Sequence, residues 1–309
     1  MQATEISNCM RVPSVAGRKF ELIVIYVEYD PARFGWPFSR LKSYLSSVGD
    51  DKKLFLIVSN SDEGEGFLEV DRGTIRLQGN NINREFSGWQ RGVEFIREQE
   101  INTDVVLLVN EAFESLGPSY LKTHNVNWLL TKCRLFKIVL GLVDTAWEGK
   151  KIQGKSARVW INTNCFFVPA KLLESLGNIV TVNETRINEF LPEDYPDSGE
   201  FFKKSSPVNS AFKEYLQKWL TEEWHGRFVP SNDTWPVFRA KTAAILNESL
   251  LSIRIRELGY IILPYDVPLF LFKKTRGAWR KMRRVLTNRG SQSFEEAMIE
   301  KSNQLSERP

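Results

Sequence analysis

Two polar side chains stand where a buried strand of this 309-residue chain is expected to end. Asn110 and Glu111 directly follow Val105–Val109, a short apolar run that is β-branched and does not alternate. Such a run is typical of a strand that is buried on both faces of its sheet. In open α/β sheets, ligands bind in the crevice at the carboxyl ends of the strands. The sequence therefore predicts a binding site at Asn110 and Glu111, with ordinary helix capping as the alternative.

Two earlier apolar runs are also strand candidates that end in polar residues. Phe20–Val27 ends at Glu28, and Lys53–Val58 runs into a turn-rich segment that contains Asn60 and Asp62. A segment whose apolar residues recur at helical spacing lies between these runs. Strands and helices thus alternate in a way that is typical of a parallel sheet. We therefore expect an α/β fold with a mixed, mostly parallel sheet that is flanked by helices.

The second half of the chain is less regular. The segment Leu135–Leu142 is apolar and fits a strand or a helix equally well. The remaining expected elements are a strand at Ala157–Val168, helices at Pro169–Leu176, Phe201–Trp224 and Lys241–Leu258, and a last strand at Tyr260–Leu263.

Composition argues against several classes of protein. The three cysteines and two histidines are far apart and form no ligand cluster, which argues against a zinc site and favours a reducing compartment. No basic segment leads into an apolar stretch as in a secretory signal, and no apolar run approaches the ~20 residues that span a bilayer. A cytoplasmic protein is expected.

The order of four motifs resembles the nucleotide-sugar half of GT-A glycosyltransferases, especially bacterial rhamnosyl and polysaccharide transferases of the O-antigen or capsule type. These motifs occupy 59–62, 84–89, 104–112 and 247–260, and the resemblance spans roughly residues 20–265. In the family, the second motif usually reads Gly-Arg-Asp-hydrophobic-Gly-Ala-Trp. Here Glu85 stands in the Asp position, and Ser-Gly replaces Gly-Ala.

The third motif departs from the family pattern. Many GT-A enzymes have Asp-x-Asp there, and its last carboxylate holds a divalent cation against the donor diphosphate, since hard cations prefer carboxylate oxygens. This chain has Asn110, Glu111 and Ala112 instead, and Ala112 offers no ligand atom. We therefore expect no divalent metal and no other cofactor. The diphosphate charge would be met by basic side chains, for which the candidates are Arg84, Lys150, Lys151, Lys155 and Arg158.

The resemblance also implies which residues bind the donor. It assigns the base and ribose to the ends of the first two strands, at Tyr26, Glu28, Asn60 and Asp62. A carboxylate or amide there can accept the imino proton of uracil or thymine, although an Asx turn at Asn60 and Asp62 is an equal alternative.

The second motif supplies the other expected donor contacts. Arg84 and Glu85 would bind the diphosphate or the sugar hydroxyls, and the alternative is a local ion pair. Trp89 would stack on the sugar, and the alternative is packing in the protein interior.

An inverting transfer needs a carboxylate that deprotonates the acceptor hydroxyl. Glu248 is the first candidate because it matches the acidic residue that opens the family's late helix, and Asp233 is the second. The alternative for Glu248 is an ordinary charge on an amphipathic helix. His225 is a further candidate acid or acceptor contact, although a lone histidine is more often structural. Asn162 and Asn164 would face the acceptor or mark a β-bulge.

A basic segment follows the expected catalytic domain. Residues 273–289 carry eight basic residues and no acidic one, whereas the whole chain has a net charge of only +4. Trp279, Met282, Val285 and Leu286 lie beside these cations at helical spacing, as in helices that bind anionic membranes. Nucleic acid is a less favoured partner, and a solvated helix that packs on the body is a further alternative.

These inferences predict four segments: a loose N-terminus (1–19), a GT-A-like catalytic domain (20–268), a basic amphipathic helix near the membrane (269–290) and a flexible tail (291–309). The expected function is inverting, metal-independent transfer of a sugar, plausibly L-rhamnose from dTDP-rhamnose, at the inner face of the cytoplasmic membrane. The donor would be a dTDP- or UDP-sugar, and the acceptor a lipid-linked cell-surface glycan. The alternative is a non-catalytic protein with the same fold that binds nucleotides or nucleic acid.

Overall fold

The computed structural model describes residues 11–29, 31–63, 66–113, 121, 125–145, 149–196, 198–223 and 229–265, with the backbone alone for 31–36, 61–63 and 223. The strands are Lys19–Glu28 (β1), Lys53–Glu63 (β2), Phe67–Asp71 (β3), Thr74–Gly79 (β4), Asn102–Asn110 (β5), Ile138–Thr145 (β6), Lys151–Ile152 (β7), Lys155–Ser156 (β8), Val159–Pro169 (β9) and Ile261–Pro264 (β10). The α-helices are Pro31–Tyr44 (α1), Glu85–Glu98 (α2), Val126–Phe136 (α3), Ala170–Leu176 (α4), Ser210–Lys218 (α5) and Trp235–Glu257 (α6).

Eight strands form one sheet in the order β10-β6-β9-β5-β1-β2-β4-β3. Strands β4, β2, β1 and β5 pair in parallel, as do β6 and β10. Strand β9 is antiparallel to both of its neighbours, and the edge strand β3 is antiparallel to β4. The expected α/β class, with a large, mostly parallel mixed sheet flanked by helices, is confirmed. Among the described helices, none is both long and apolar enough to cross a membrane.

The two faces of the sheet bury separate apolar layers. On one face, Leu41 of α1 and Leu129 of α3 pack in the same layer as Val24 of β1. On the other face, Trp89 of α2 and Leu251 of α6 pack with the neighbouring strand residues. Strand alternation sends successive side chains to opposite faces, so a strand without polar interruption fills both layers.

A third apolar cluster lies beyond the sheet and includes Phe190, Phe201 and Phe212. Helix α6 joins this cluster to the sheet, because Leu246 and Ile253 face the third cluster while Leu251 faces the sheet layer. Each fully buried aliphatic side chain contributes roughly 1.5–3 kcal/mol to folding. The position of α6 is therefore fixed from two sides.

The expected strands and helices mostly occur where the sequence places them, with two corrections. The segment 201–209 is not helical: α5 begins only at Ser210, because Pro207 lacks an N–H and Asn209 caps the helix by accepting from Phe212 N. Residues 11–18 are not loose, since Val12 and Val15 are buried. The ambiguous run 135–142 divides between the end of α3 and β6. The basic segment 269–290 and the tail 291–309 lie outside the described residues.

Two glycines allow α2 to lie directly against β1. A Cβ atom at Gly88 would stand 2.7 Å from Val27 Cγ2, and one at Gly92 would stand 2.5 Å from Ile25 Cγ2. Both strand residues are fully buried and cannot move aside. This close approach brings the first turn of α2 to the carboxyl ends of the strands.

We predict that Gly92→Ala destabilises the protein. Helix propensity alone would favour alanine by about 1 kcal/mol, but overpacking a filled core costs about 1–3 kcal/mol. The expected result is a net loss of about 1 kcal/mol in the free energy of unfolding, measured by urea denaturation. Gly149→Ala is the matched control, because a Cβ there meets nothing within 4 Å. Equal stability of Gly92→Ala and wild type would contradict the close packing of α2 on β1.

Candidate functional site

The carboxyl ends of β1, β2 and β5 meet at one edge of the sheet. The register pairs Val27 with Asn110 and Glu28 with Ser59, so the residues that follow these pairs leave the sheet together. Asn60 and Asn110 are both buried at this edge. The side chain of Asn110 donates to the Thr163 carbonyl on β9 at 3.3 Å. The strand ends and the middle of β9 therefore bound one common region.

Arg84 stands immediately before α2 in an unusual backbone conformation. Its φ is +54° and its ψ is −137°, a combination that costs a residue with a side chain of order 1–3 kcal/mol. Asn60 Nδ2 donates to the Arg84 carbonyl at 3.0 Å and so helps to hold this conformation. Among the described residues, no hydrogen-bond partner meets the buried Arg84 Nε. The strained backbone keeps a guanidinium at the rim of the sheet.

Glu85, the first residue of α2, connects two strands. One of its carboxylate oxygens accepts from the Tyr29 hydroxyl at 3.1 Å, and the other accepts from the Thr163 hydroxyl at 3.2 Å. Burial and the nearby Glu85 carboxylate raise the pKa of Tyr29, which keeps the phenol protonated as a donor. Glu85 is thereby held between the end of β1 and the middle of β9.

Glu248 approaches the same part of β9 from α6. Its Oε1 accepts from the Thr163 backbone N–H at 2.9 Å. Burial, followed by the charges of Asp144 and Glu85, raises the pKa of Glu248 to about 8. The carboxyl is therefore largely protonated at neutral pH, and a modest change in its surroundings would ionise it.

Two further ionisable groups complete the arrangement. Asp144 is on β6, next to β9, and its Oδ2 accepts from Asn162 Nδ2 at 3.0 Å. Burial raises the pKa of Asp144. Lys241 is on α6, two turns before Glu248. Burial and the neighbouring Arg84 charge lower the pKa of Lys241 to about 8. We use the term rim cluster for a set of half-buried side chains at this edge, namely Tyr29, Arg84, Glu85, Asp144, Lys241 and Glu248.

The rim cluster combines two kinds of chemistry. A carboxyl group with a pKa near the working pH suits proton transfer. Two cations that lie close together repel one another, and an anion that binds between them relieves that repulsion. Among the described residues, no three His, Cys, Asp or Glu side chains converge in a way that could hold a metal ion. The expectation of metal-independent chemistry stays a prediction.

Several residues expected from the sequence do meet at this edge, but some of their side chains bond to the backbone. Glu111 Oε2 accepts from Tyr29 N at 2.8 Å and so closes the end of β1. Asn110 Oδ1 accepts from Ala112 N at 3.0 Å, a bond within the turn that follows β5. Asn162 Oδ1 accepts from Asn164 N at 3.0 Å where the register of β9 against β6 shifts, which is compatible with the predicted alternative of a β-bulge.

Tyr26 and Trp89 lie in the protein core, which contradicts their expected contacts with the donor. Tyr26 is 1% exposed and packs beside Phe38, with ring centroids 5.5 Å apart. Trp89 is fully buried, and its Nε1 donates to the Val109 carbonyl at 3.1 Å. Both rings are enclosed by the core, so a ligand cannot reach them. Their role is packing, to which large aromatic side chains contribute much apolar area.

Glu28 also differs from the prediction. Strand alternation directs it to the face of Tyr26, away from α2, and it forms an ion pair there with Arg76 of β4. Its carboxylate is 8% exposed and is neutralised within the sheet.

The other basic candidates lie away from Glu248. Lys155 forms an ion pair with Glu257 at the far end of α6, about 13 Å along the helix axis from Glu248. Arg158 adjoins Val159, whose carbonyl accepts from Arg256 near that end of the helix. These placements contradict their expected role as diphosphate ligands beside Arg84.

The loop that contains Lys150 and Lys151 also lies elsewhere. Lys150 is 2% exposed, with its ammonium over the Tyr215 ring, and burial there prevents contact with a diphosphate. Lys151 is exposed in a small hairpin, where its backbone N–H donates to Asn209 Oδ1 at 2.9 Å. Neither cation belongs to the rim cluster.

Asp233 is exposed in the turn before α6, about 20 Å along the helix from Glu248. Its position contradicts its expected role as a second candidate base in the same site. The side chain of Asp62 and the whole of His225 lie outside the described residues.

Four residues near Glu248 were missed in the sequence. Tyr29 and Asp144 follow apolar runs, so the strand-end rule that selected Asn110 could have found both. Lys241 is seven residues before Glu248, a spacing that places both side chains on one helix face. Thr163 lies in the polar interruption 162–164 of the expected strand, but only the irregularity in β9 shows that its N–H and hydroxyl bind Glu248 and Glu85.

We predict that Glu248 makes stability depend on pH. Its pKa in the folded protein is raised above the ordinary value of 4.5, so the native state retains a proton that the unfolded chain loses. Stability from this group is complete below about pH 4.5 and declines as the pH rises to about 8, by up to about 1.4 kcal/mol per pH unit. In Glu248→Gln this decline should be absent when unfolding is followed in urea at successive pH values. Glu98→Gln, an exposed carboxylate on α2, is the control. A stability difference between Glu248→Gln and wild type that stays constant from pH 5 to 8 would contradict the raised pKa.

Comparisons with known proteins give no family for this chain. No protein-family model matches it, and no curated protein matches its sequence. The GT-A resemblance therefore stays a prediction, and function has to be inferred from the rim cluster.

Proposed function

We propose that this protein is an inverting, metal-independent glycosyltransferase of the GT-A type that uses a nucleotide-sugar donor. The observation that carries the proposal is the rim cluster at the carboxyl edge of the sheet. Glu85 lies close to both Glu248, whose pKa is raised to about 8, and Lys241, which in turn lies close to Arg84. Ligands of open α/β proteins bind at this edge. The mixed, mostly parallel sheet is also of the kind that the sequence resemblance implies.

Glu248 is the proposed general base. In its ionised form it takes the proton of an acceptor hydroxyl, and the hydroxyl oxygen then attacks the anomeric carbon of the donor sugar. The bond from that carbon to the diphosphate oxygen breaks, and the electron pair leaves with the nucleoside diphosphate. The attack comes from the face opposite the leaving group, so the anomeric configuration inverts.

Arg84 and Lys241 are the proposed ligands of the leaving diphosphate. Charge develops on its oxygens as the glycosidic bond breaks, and fixed cations stabilise that charge without reorganising. An anion beside Lys241 also favours the protonated ammonium and offsets the effect of burial on its pKa. Asn60 and Glu85 act through Arg84 and Thr163, because their side chains hold the backbone and hydroxyl groups of those residues.

The finer identity rests on the sequence resemblance alone. We propose dTDP-rhamnose as the donor and a lipid-linked bacterial cell-surface glycan as the acceptor, as in O-antigen biosynthesis. The basic segment 269–290 would hold the enzyme at the anionic inner face of the cytoplasmic membrane.

We predict that Glu248→Gln lowers donor turnover at least a hundredfold, since general base catalysis contributes about 10²–10⁴ in rate. The assay follows release of nucleoside diphosphate from dTDP-rhamnose and a panel of UDP-sugars in EDTA, with and without acceptor. Donor binding, measured by thermal shift, should persist in this variant. Glu98→Gln should retain wild-type turnover. If wild type shows no turnover, no donor binding and affinity for nucleic acid that falls steeply with salt, the protein is a binding protein and the proposal is wrong.

We predict that Arg84→Gln and Lys241→Gln each weaken donor binding about tenfold or more, because a hydrogen bond to a charged group contributes about 1.5–3 kcal/mol. The measurement is calorimetric titration with the donor that gives the largest thermal shift. Arg134→Gln, which removes an exposed cation near Asp104, is the control. Unchanged affinity in both cluster variants would show that the diphosphate does not bind between Arg84 and Lys241.

A further inference from the structure

A second concave site lies on the side of α6 that faces away from Glu248. It is a cavity of about 300 Å³, roughly ten times the ~30 Å³ share of one water molecule in the liquid. Helix α6 presents Arg254 and Glu257 to this cavity, while Glu248 and Ser252 accept from the backbone of β9. The two sites therefore use different faces of the same helix.

Two guanidinium groups meet at one wall of this cavity. Arg254 Nη1 donates to Thr181 Oγ1 at 2.8 Å, and Arg186 Nη1 donates to the Thr181 carbonyl at 3.1 Å. Arg254 Nη2 also donates to the Leu176 carbonyl at 2.5 Å. These acceptors are uncharged, so they fix the two guanidinium planes without neutralising them. Two like charges are thus held around one residue.

The charges that line the cavity are mostly positive. Of the described residues that line it, Lys155, Arg186 and Arg254 are cations and Glu257, the ion-pair partner of Lys155, is the one carboxylate. Glu189 stands 3.6 Å from Arg186 Nε in an exposed pair, and such pairs neutralise charge weakly in water. Burial and the neighbouring Arg186 lower the pKa of Arg254, which agrees with an excess of positive charge.

The wall that carries Thr181 is held rigidly before any ligand arrives. The fully buried Asn247 accepts from Thr181 N and Val182 N, both at 2.7 Å, and donates to the Val182 carbonyl at 2.8 Å. A site whose donors are already in position loses little entropy when a ligand binds. Arginine is suited to such a role because its planar fork matches the oxygens of a phosphate group.

We propose that this cavity, the arginine pocket, binds a phosphate-type oxyanion between Arg186 and Arg254. The oxyanion is either inorganic phosphate or the head of a small phosphomonoester, for which the volume leaves room. The arginine pocket is separate from the rim cluster, and its occupation does not depend on glycosyl transfer.

The test is calorimetric titration of the full chain with sodium phosphate, compared with sodium chloride at equal ionic strength. Wild type should bind phosphate, Arg186→Gln should bind it at least tenfold more weakly, and Arg186→Lys should lie between them. Arg134→Gln is the control for loss of an exposed cation. Arg186 is chosen over Arg254 because Arg254 also bonds to the Leu176 carbonyl and its loss could impair folding.

Arg84→Gln distinguishes the two anion sites. Phosphate affinity that survives Arg84→Gln but falls in Arg186→Gln supports the arginine pocket. Loss in Arg84→Gln with retention in Arg186→Gln, or wild-type binding no stronger than that of chloride, would overturn the proposal. Tighter binding of glycerol phosphate than of phosphate supports an organic phosphomonoester as the ligand, and the reverse order supports the free ion.

Discussion

The close packing of α2 on β1 is the constraint on which the site depends. Because Gly88 and Gly92 have no side chains, the helix can lie against Val27 and Ile25, and its first turn reaches the end of the strand. Glu85 can then bridge Tyr29 and Thr163. A helix displaced outward by the width of a methyl group would leave these hydrogen bonds too long to form.

The rim cluster shows how burial and charge act together. Burial and the charges of Asp144 and Glu85 raise the pKa of Glu248, whereas burial and the Arg84 charge lower the pKa of Lys241. Glu248 and Lys241 both reach values of about 8 from opposite directions. A site with this balance can change its protonation when an anion or a hydroxyl group enters. Perturbed groups of this kind concentrate at functional sites.

Much of the fold could be predicted from local pattern. The apolar runs at β1, β2 and β5 are long enough to identify buried strands, and the strand-end rule correctly brought Asn60 and Asn110 to one edge. Arg84 was selected by the family resemblance and lies near that edge as well. The rule failed for Tyr26, because alternation along β1 sends that ring into the core two residues before the strand ends. Charge alone could not exclude Lys155 as a diphosphate ligand, because its ion-pair partner Glu257 is distant in sequence.

The parts that were missed depend on tertiary structure. Thr163 matters only because the bulge in β9 turns its N–H to Glu248 and its hydroxyl to Glu85. Lys241 gains importance from its proximity to Arg84, and no local pattern encodes a contact between residues so far apart in the chain. Hydrophobic periodicity identifies individual strands and helices, whereas these contacts form only where different strands and helices pack together.

Helix α6 carries Glu248 on one face and Arg254 on another, while its apolar side chains join two cores. A helix advances 100° per residue, so the angular phase between these surfaces is set by the number of residues between them. Insertion of one residue between Glu248 and Arg254 would rotate the arginine by more than a quarter turn relative to the carboxylate. Evolution can therefore exchange side chains along this helix far more readily than it can change its length.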